Sequence, residues 1–94
     1  SLLIEKLKKL KRQHELIREV RGKGLMIGVE LVRNRKTREP AIGEAHEIAE
    51  KAFKKGLLLL PCGENVIRFS PPLIVSTDEI AVAVHIFSEI LANY

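Results

Sequence analysis

Two apolar runs, Leu57–Leu60 and Val66–Phe69, are separated by only five residues, Pro61-Cys62-Gly63-Glu64-Asn65. Parallel strands need a crossover of roughly a dozen residues, so this connection is too short for one and commits the two runs to an antiparallel hairpin. The first run reads as a short buried strand broken by Pro61. The second, 66–69, is stopped by Pro71-Pro72, because a proline restricts the residue before it and offers no N–H. Any fold for this chain must be built around that hairpin.

The segments around it follow from spacing. Leu3, Leu7, Leu10, His14 and Ile17 recur at intervals of three and four, which predicts an amphipathic helix over about residues 2–18. Arg21-Gly22-Lys23-Gly24 reads as a turn. Residues 25–32 alternate as a strand, with Leu25, Ile27, Val29 and Leu31 on one face. Gly28, on the other face, suggests close approach of another element. A charged loop covers 33–40. A helix over about 42–55 turns Ala45, Ile48, Ala49, Ala52 and Phe53 inward and ends at Gly56. A last helix over about 77–92 starts from a capping box, Ser76 with Glu79. Its apolar surface is broad enough that part of it is expected to pack on something beyond these residues. The order helix–strand–helix–strand–strand–helix predicts a small α+β, two-layer domain: a short three-stranded sheet with a terminal hairpin, packed against three helices.

Arg68 stands out because it is an isolated cation within an apolar strand. Its planar fork of donors matches a carboxylate. An arginine at a strand end also snorkels to water or pairs with a nearby glutamate, and from the residues alone that ordinary reading is favoured.

The chain has 94 residues, of which 46% are hydrophobic, enough for one modest core. No apolar run reaches the roughly 18 residues of a membrane span. The formal net charge is +4, and eight of the 16 basic residues fall in the first 24 positions. Glu5, Glu15 and Glu19 are interspersed among them and no aromatic residue interleaves them, so a solvated helix face is favoured over a nucleic-acid-binding one. Cys62 is the only cysteine, which excludes an internal disulfide and fits a reducing cytoplasm. Gly22-Lys23-Gly24 is no dinucleotide loop, since a strand and not a helix follows it. His14, His46 and His85 fall on three different helices, so no compact metal-ligand set is expected. The residues supply no complete active site, and no catalytic residue is assigned.

Several segments in register resemble the C-terminal small domain of class III aminotransferases, which are fold-type I enzymes: Val20-Arg21-Gly22-Lys23-Gly24-Leu25-Met26-Ile27-Gly28-Val29-Glu30-Leu31, Gly56-Leu57-Leu58-Leu59, Asn65-Val66-Ile67-Arg68-Phe69-Ser70-Pro71-Pro72-Leu73 and Thr77-Asp78-Glu79-Ile80. The resemblance covers essentially the whole chain. It implies that residues 1–94 are one domain of a longer polypeptide whose large domain binds pyridoxal 5'-phosphate and supplies the Schiff-base lysine. It implies a transaminase of the 4-aminobutyrate or acetylornithine type, moving an amino group from an amino acid to a keto acid such as 2-oxoglutarate, with the 94-residue piece inactive by itself. It also implies a cytoplasmic homodimer that binds neither nucleic acid nor membrane. Within it, Arg68 matches the residue that holds a substrate carboxylate, which reverses the ordinary reading. Glycines 22, 24 and 28 match the family pattern and are assigned to packing and turn geometry. The competing readings are a stand-alone basic domain that binds nucleic acid and a structural or dimerisation module.

Overall fold

A computed structural model describes residues 2–23, 26–69 and 76–94. Gly24, Leu25 and the Pro71-Pro72 stop lie outside the described residues. Three helices, α1 (Leu2–Gln13), α2 (Ile42–Lys54) and α3 (Thr77–Leu91), accompany five strands. These are β1 (Ile17–Lys23), β2 (Met26–Asn34), β3 (Glu39–Pro40), β4 (Leu60–Cys62) and β5 (Val66–Phe69). The sheet runs β1-β2-β5-β4, with β3 pairing on β2, and every pairing is antiparallel. The α+β class and an antiparallel hairpin ending in β5 are as expected; the hairpin's first arm, expected as a buried strand at Leu57–Leu60, is instead Leu60–Cys62 with Leu60 exposed, and the sheet has five strands where three were predicted.

The difference lies mostly at the start. The first helix ends at Gln13 and not near residue 18, and Ile17 belongs to a strand. Arg35, from the turn after β2, caps the helix end: its Nη2 donates to the carbonyls of Lys11, His14 (2.9 Å) and Ile17 (3.0 Å), and its Nε to that of Glu15 (3.2 Å). One of the carbonyls that a helix C-terminus leaves open, that of Lys11, is thereby satisfied, and the other three contacts fix the link from α1 into β1. Gly22, predicted in a turn, is within β1, where a side chain would run into Ile4. Pro61 does not break its strand but sits in β4, at the end of the sheet path, where a missing N–H costs no ladder bond.

One face of the sheet carries Val20, Ile27, Val29, Leu31, Ile67 and Phe69, all buried. They share a single cluster with Leu3, Leu7 and Leu10 of α1, Ala45, Ile48 and Ala52 of α2, and Ala83, Phe87, Ile90 and Leu91 of α3. The exposed side of α1 carries Lys8, Lys9 and Arg12. Two features set the later helices. Gly56, at φ 89°, closes α2: its N–H bonds to Phe53 O (3.0 Å) and that of Leu57 to Ala52 O (2.8 Å), the paired closure in which a left-handed glycine is favoured. That turn leaves Phe53 68% exposed and not inward as predicted. Ser76 caps α3 by accepting from the Glu79 N–H at 3.1 Å.

Arg33, near the end of β2, forks onto Glu44 at the start of α2, with Nε and Nη2 at 2.8 and 3.1 Å from the two carboxylate oxygens. This hydrogen bonding holds the Glu44 carboxyl below the usual glutamate range, against a smaller opposing push from partial burial. A depressed carboxylate contributes stability that is complete above its unfolded value, about 4.3, and is lost as pH falls through the folded value. Urea unfolding of wild type and Glu44→Gln should therefore differ at pH 7 and converge on acidification below about pH 4. A gap between them that is unchanged from pH 7 to 3 would contradict this role for the pair.

Candidate functional site

The helices share their core with one face of the sheet; the other face holds the polar chemistry. Register places its side chains in two rows. Arg21, Gly28, Arg68 and Leu60 are mutual neighbours on β1, β2, β5 and β4, and Glu19, Glu30, Val66 and Cys62 form the adjacent row. A bulge between Ile17 and Glu19 inserts Arg18 as an extra residue of β1. Two β1 residues then oppose one on β2, and Arg18 turns to the same side as Glu19 while Ile17 stays buried.

Arg68 is half-buried, and its Nη2 donates to Cys62 Sγ at 2.8 Å across the hairpin. Among the described residues no carboxylate lies within ion-pair distance of it. Both glutamates of the face are taken by other cations: Glu30 by Arg18 (3.0 Å) and Arg21 (3.1 Å), Glu19 by Arg18 (3.5 Å) and Arg21 (3.8 Å). The strand is well fixed. Asn65 leads into β5 with its Nδ2 on Leu31 O and its carbonyl on Leu31 N–H, each at 2.8 Å. On either side of Arg68, Ile67 and Phe69 are buried in the core. Beside Arg68 on β2, a Cβ at Gly28 would come within 3.3 Å of Val66 Cγ1, so the crowding predicted at that glycine is present and leaves the space in front of Arg68 free of a side chain.

A guanidinium held on a rigid strand, with a thiol as its partner among the described residues, is suited to bind an anion. It has five donors, no acceptor and no accessible neutral form, so it positions and does not move protons. The thiol contact was readable in principle, because a three-residue turn over 63–65 sets Cys62 opposite Val66 and therefore diagonal to Arg68. The arginine–glutamate network was not readable, since it needs the register of strands far apart in sequence.

The remaining candidates are dispersed. His14 follows α1, His46 lies on the exposed side of α2, and His85 of α3 pairs with Glu89 at 3.2 Å. Among the described residues no three His, Cys, Asp or Glu side chains assemble as a metal site. No lysine whose side chain is described is buried, and the first turn of α3 carries Asp78 and Glu79, which repel a phosphate. The described residues thus do not fit a pyridoxal phosphate site. No described helix is long and apolar enough to cross a membrane.

Comparison with known proteins bears on these features. The model of the family "Aminotransferase class-III" matches residues 1–91. A leucine/methionine racemase of Thermococcus litoralis is 44% identical over 78 residues, covering 83% of this chain and 18% of that protein. An acetylornithine aminotransferase of Caldanaerobacter subterraneus subsp. tengcongensis is 41% identical over 89 residues, covering 95% of this chain and 20% of that protein. Among solved structures, a Bacillus anthracis aminotransferase superposes with a TM-score of 0.90 at 31% identity, covering 99% of this chain and 22% of that one. An amine transaminase from an uncultivated Pseudomonas species, in its PLP-bound form, gives 0.85 at 38% identity, covering 98% and 21%. The chain spans about a fifth of the length of these relatives.

Proposed function

The chain belongs to the class III aminotransferase family, and from that premise we propose that it is the small domain of a longer pyridoxal-phosphate-dependent transaminase in which Arg68 holds a substrate carboxylate. One observation carries the role of Arg68: it is the arginine of the polar sheet face that meets a thiol and, among the described residues, no carboxylate. A bidentate pair with a substrate carboxylate supplies what Cys62 cannot, a full opposite charge in matching planar geometry. Held that way, an amino acid or keto acid has one end fixed, which limits the orientations its reacting carbon can take.

The cofactor is assigned to the large domain of the same polypeptide, because the described residues offer it neither a sheltered lysine nor a phosphate cradle. For the same reason the 94-residue piece is expected to be inactive alone. The apolar side chains left exposed, among them Phe53, Leu58, Leu60 and Val82, are assigned to contact with that large domain. The parent is placed in the cytoplasm as a homodimer.

The amino donor is proposed to be of the acetylornithine type, ahead of 4-aminobutyrate, since several relatives bear the acetylornithine name. The racemase relative motivates a second reading, in which the amino group stays on its carbon, the Cα proton is removed and one is returned to the opposite face, and no keto acid is consumed. The two separate in one assay. The parent protein, loaded with pyridoxal phosphate, is given N-acetylornithine, ornithine, 4-aminobutyrate or L-leucine with 2-oxoglutarate, and glutamate and D-leucine are both measured. The transaminase reading expects glutamate, formed fastest from N-acetylornithine. D-leucine without glutamate would transfer the assignment to racemisation.

A further inference from the structure

We infer that Arg18 and Arg21 are positioning residues that keep Arg68 available: by engaging Glu30 they prevent it from forming an internal ion pair with Arg68. The inference rests on the reading of Arg68 as a carboxylate site and adds to it a reason why no described acid of its own sheet face already fills that site.

Glu30 is the carboxylate placed to compete. It lies one row from Arg68 on the neighbouring strand, opposite Val66, while Arg68 stands opposite Gly28. Diagonal neighbours across an antiparallel pair are within reach of long side chains. Gly28 puts no side chain between them. Glu30 is also the more sheltered acid of the face, with its side chain 17% exposed against 42% for Glu19, so it needs a cationic partner more than its neighbour does.

The charges on the face explain the outcome. Three guanidinium groups, Arg18, Arg21 and Arg68, face two carboxylates, Glu19 and Glu30. Arg18 and Arg21 each contact both carboxylates and converge on the same oxygen of Glu30, at 3.0 and 3.1 Å. Both acids are thereby neutralised on the β1 side, and the surplus cation is Arg68, which turns the other way, toward Cys62 on β4. The β1 bulge is what makes this possible. Without the extra residue at position 18, strict alternation would give the face one arginine of β1 and not two.

The test uses the parent protein. In Arg18→Gln/Arg21→Gln, Glu30 loses both partners and is expected to swing to Arg68. KM for carboxylate-bearing substrates should rise about fivefold while kcat stays within about twofold. Adding Glu30→Gln should bring KM back to within about twofold of wild type, since the competitor is then uncharged. General damage to the sheet would not be repaired by a third substitution. The single variant Arg21→Gln, on a side chain 59% exposed, provides the same sign at smaller size with little risk to folding. A double variant with unchanged KM, or a triple variant no better than the double, overturns the inference. A crystal structure of the double variant decides independently of activity: Glu30 within about 4 Å of the Arg68 guanidinium supports it, and Arg68 still on Cys62 with Glu30 turned to solvent overturns it. A wild-type parent that transfers no amino group ends the transaminase reading, and the crystal structure still reports on the ion pair.

Discussion

Arg68→Ala in the parent enzyme is expected to raise KM for carboxylate-bearing substrates by roughly thirty- to 150-fold. The size follows from the interaction removed. Hydrogen bonds to charged groups contribute about 1.5–3 kcal/mol, and a bidentate guanidinium–carboxylate pair on a half-buried strand belongs in the upper part of that range. At about 1.4 kcal/mol per tenfold, 2–3 kcal/mol gives the stated range. The loss is expected to fall on KM more than kcat, since the carboxylate keeps its charge and its contacts from ground to transition state. Arg68→Lys should lie between, keeping the charge but losing the planar fork. The alternative view, Arg68 as scaffold, predicts something different: alanine would cost some stability through the freed Cys62 thiol and leave KM where it was. Steady-state kinetics on wild type and the two variants separates these views.

The second large effect is on stability. Phe87 of α3 is fully buried, and its ring meets Phe69 edge-on, with centroids 5.4 Å apart and planes at 79°. That pair joins the last helix to β5, one residue beyond Arg68. Phe87→Ala should cost about 3–5 kcal/mol, from lost transfer free energy and the cavity left behind. A 94-residue domain has a total stability on the order of 5–14 kcal/mol. The variant is thus expected to be marginal or unfolded at 37 °C, with a large drop in its urea midpoint when followed by far-UV circular dichroism. A midpoint lowered by less than about 1 kcal/mol equivalent would mean that α3 is not a main part of the core.

Much of this architecture was legible because periodicity and punctuation agreed. The helix expected over 42–55 is Ile42–Lys54, closed by Gly56, and the one expected over 77–92 is Thr77–Leu91, capped by Ser76. The strand at 66–69 lies where it was placed, since its proximity to the preceding apolar run left no other solution. The start of the chain misled for a physical reason. Ile17 continues the three-and-four spacing of Leu3, Leu7 and Leu10, yet it is buried as a strand residue. The bulge at Arg18 puts two polar residues side by side and hides the strand alternation that would have revealed β1. The strand β3 is two residues long and carries no pattern of its own. Phe53 fits the apolar stripe of α2, but the chain turns away at Gly56 before anything covers it.

The site divides in the same way. Arg68 was conspicuous as a lone cation in an apolar strand; the residues alone favoured an ordinary strand-end arginine, and the resemblance turned the reading toward a carboxylate. The acids that decide whether it is free, Glu19 and Glu30, sit in other strands. Their relation to it depends on a register set by the bulge and by Gly28, which appears only once the chain is folded.

The role of Arg68 is decided by where a substrate carboxylate comes to rest. A crystal structure of the parent protein with 2-oxoglutarate bound locates it directly. The prediction is two carboxylate oxygens within about 3 Å of the Arg68 guanidinium nitrogens, with Glu30 still held by Arg18 and Arg21. A 2-oxoglutarate seated on other cations, with Arg68 still donating to Cys62, would contradict it and return Arg68 to the scaffold.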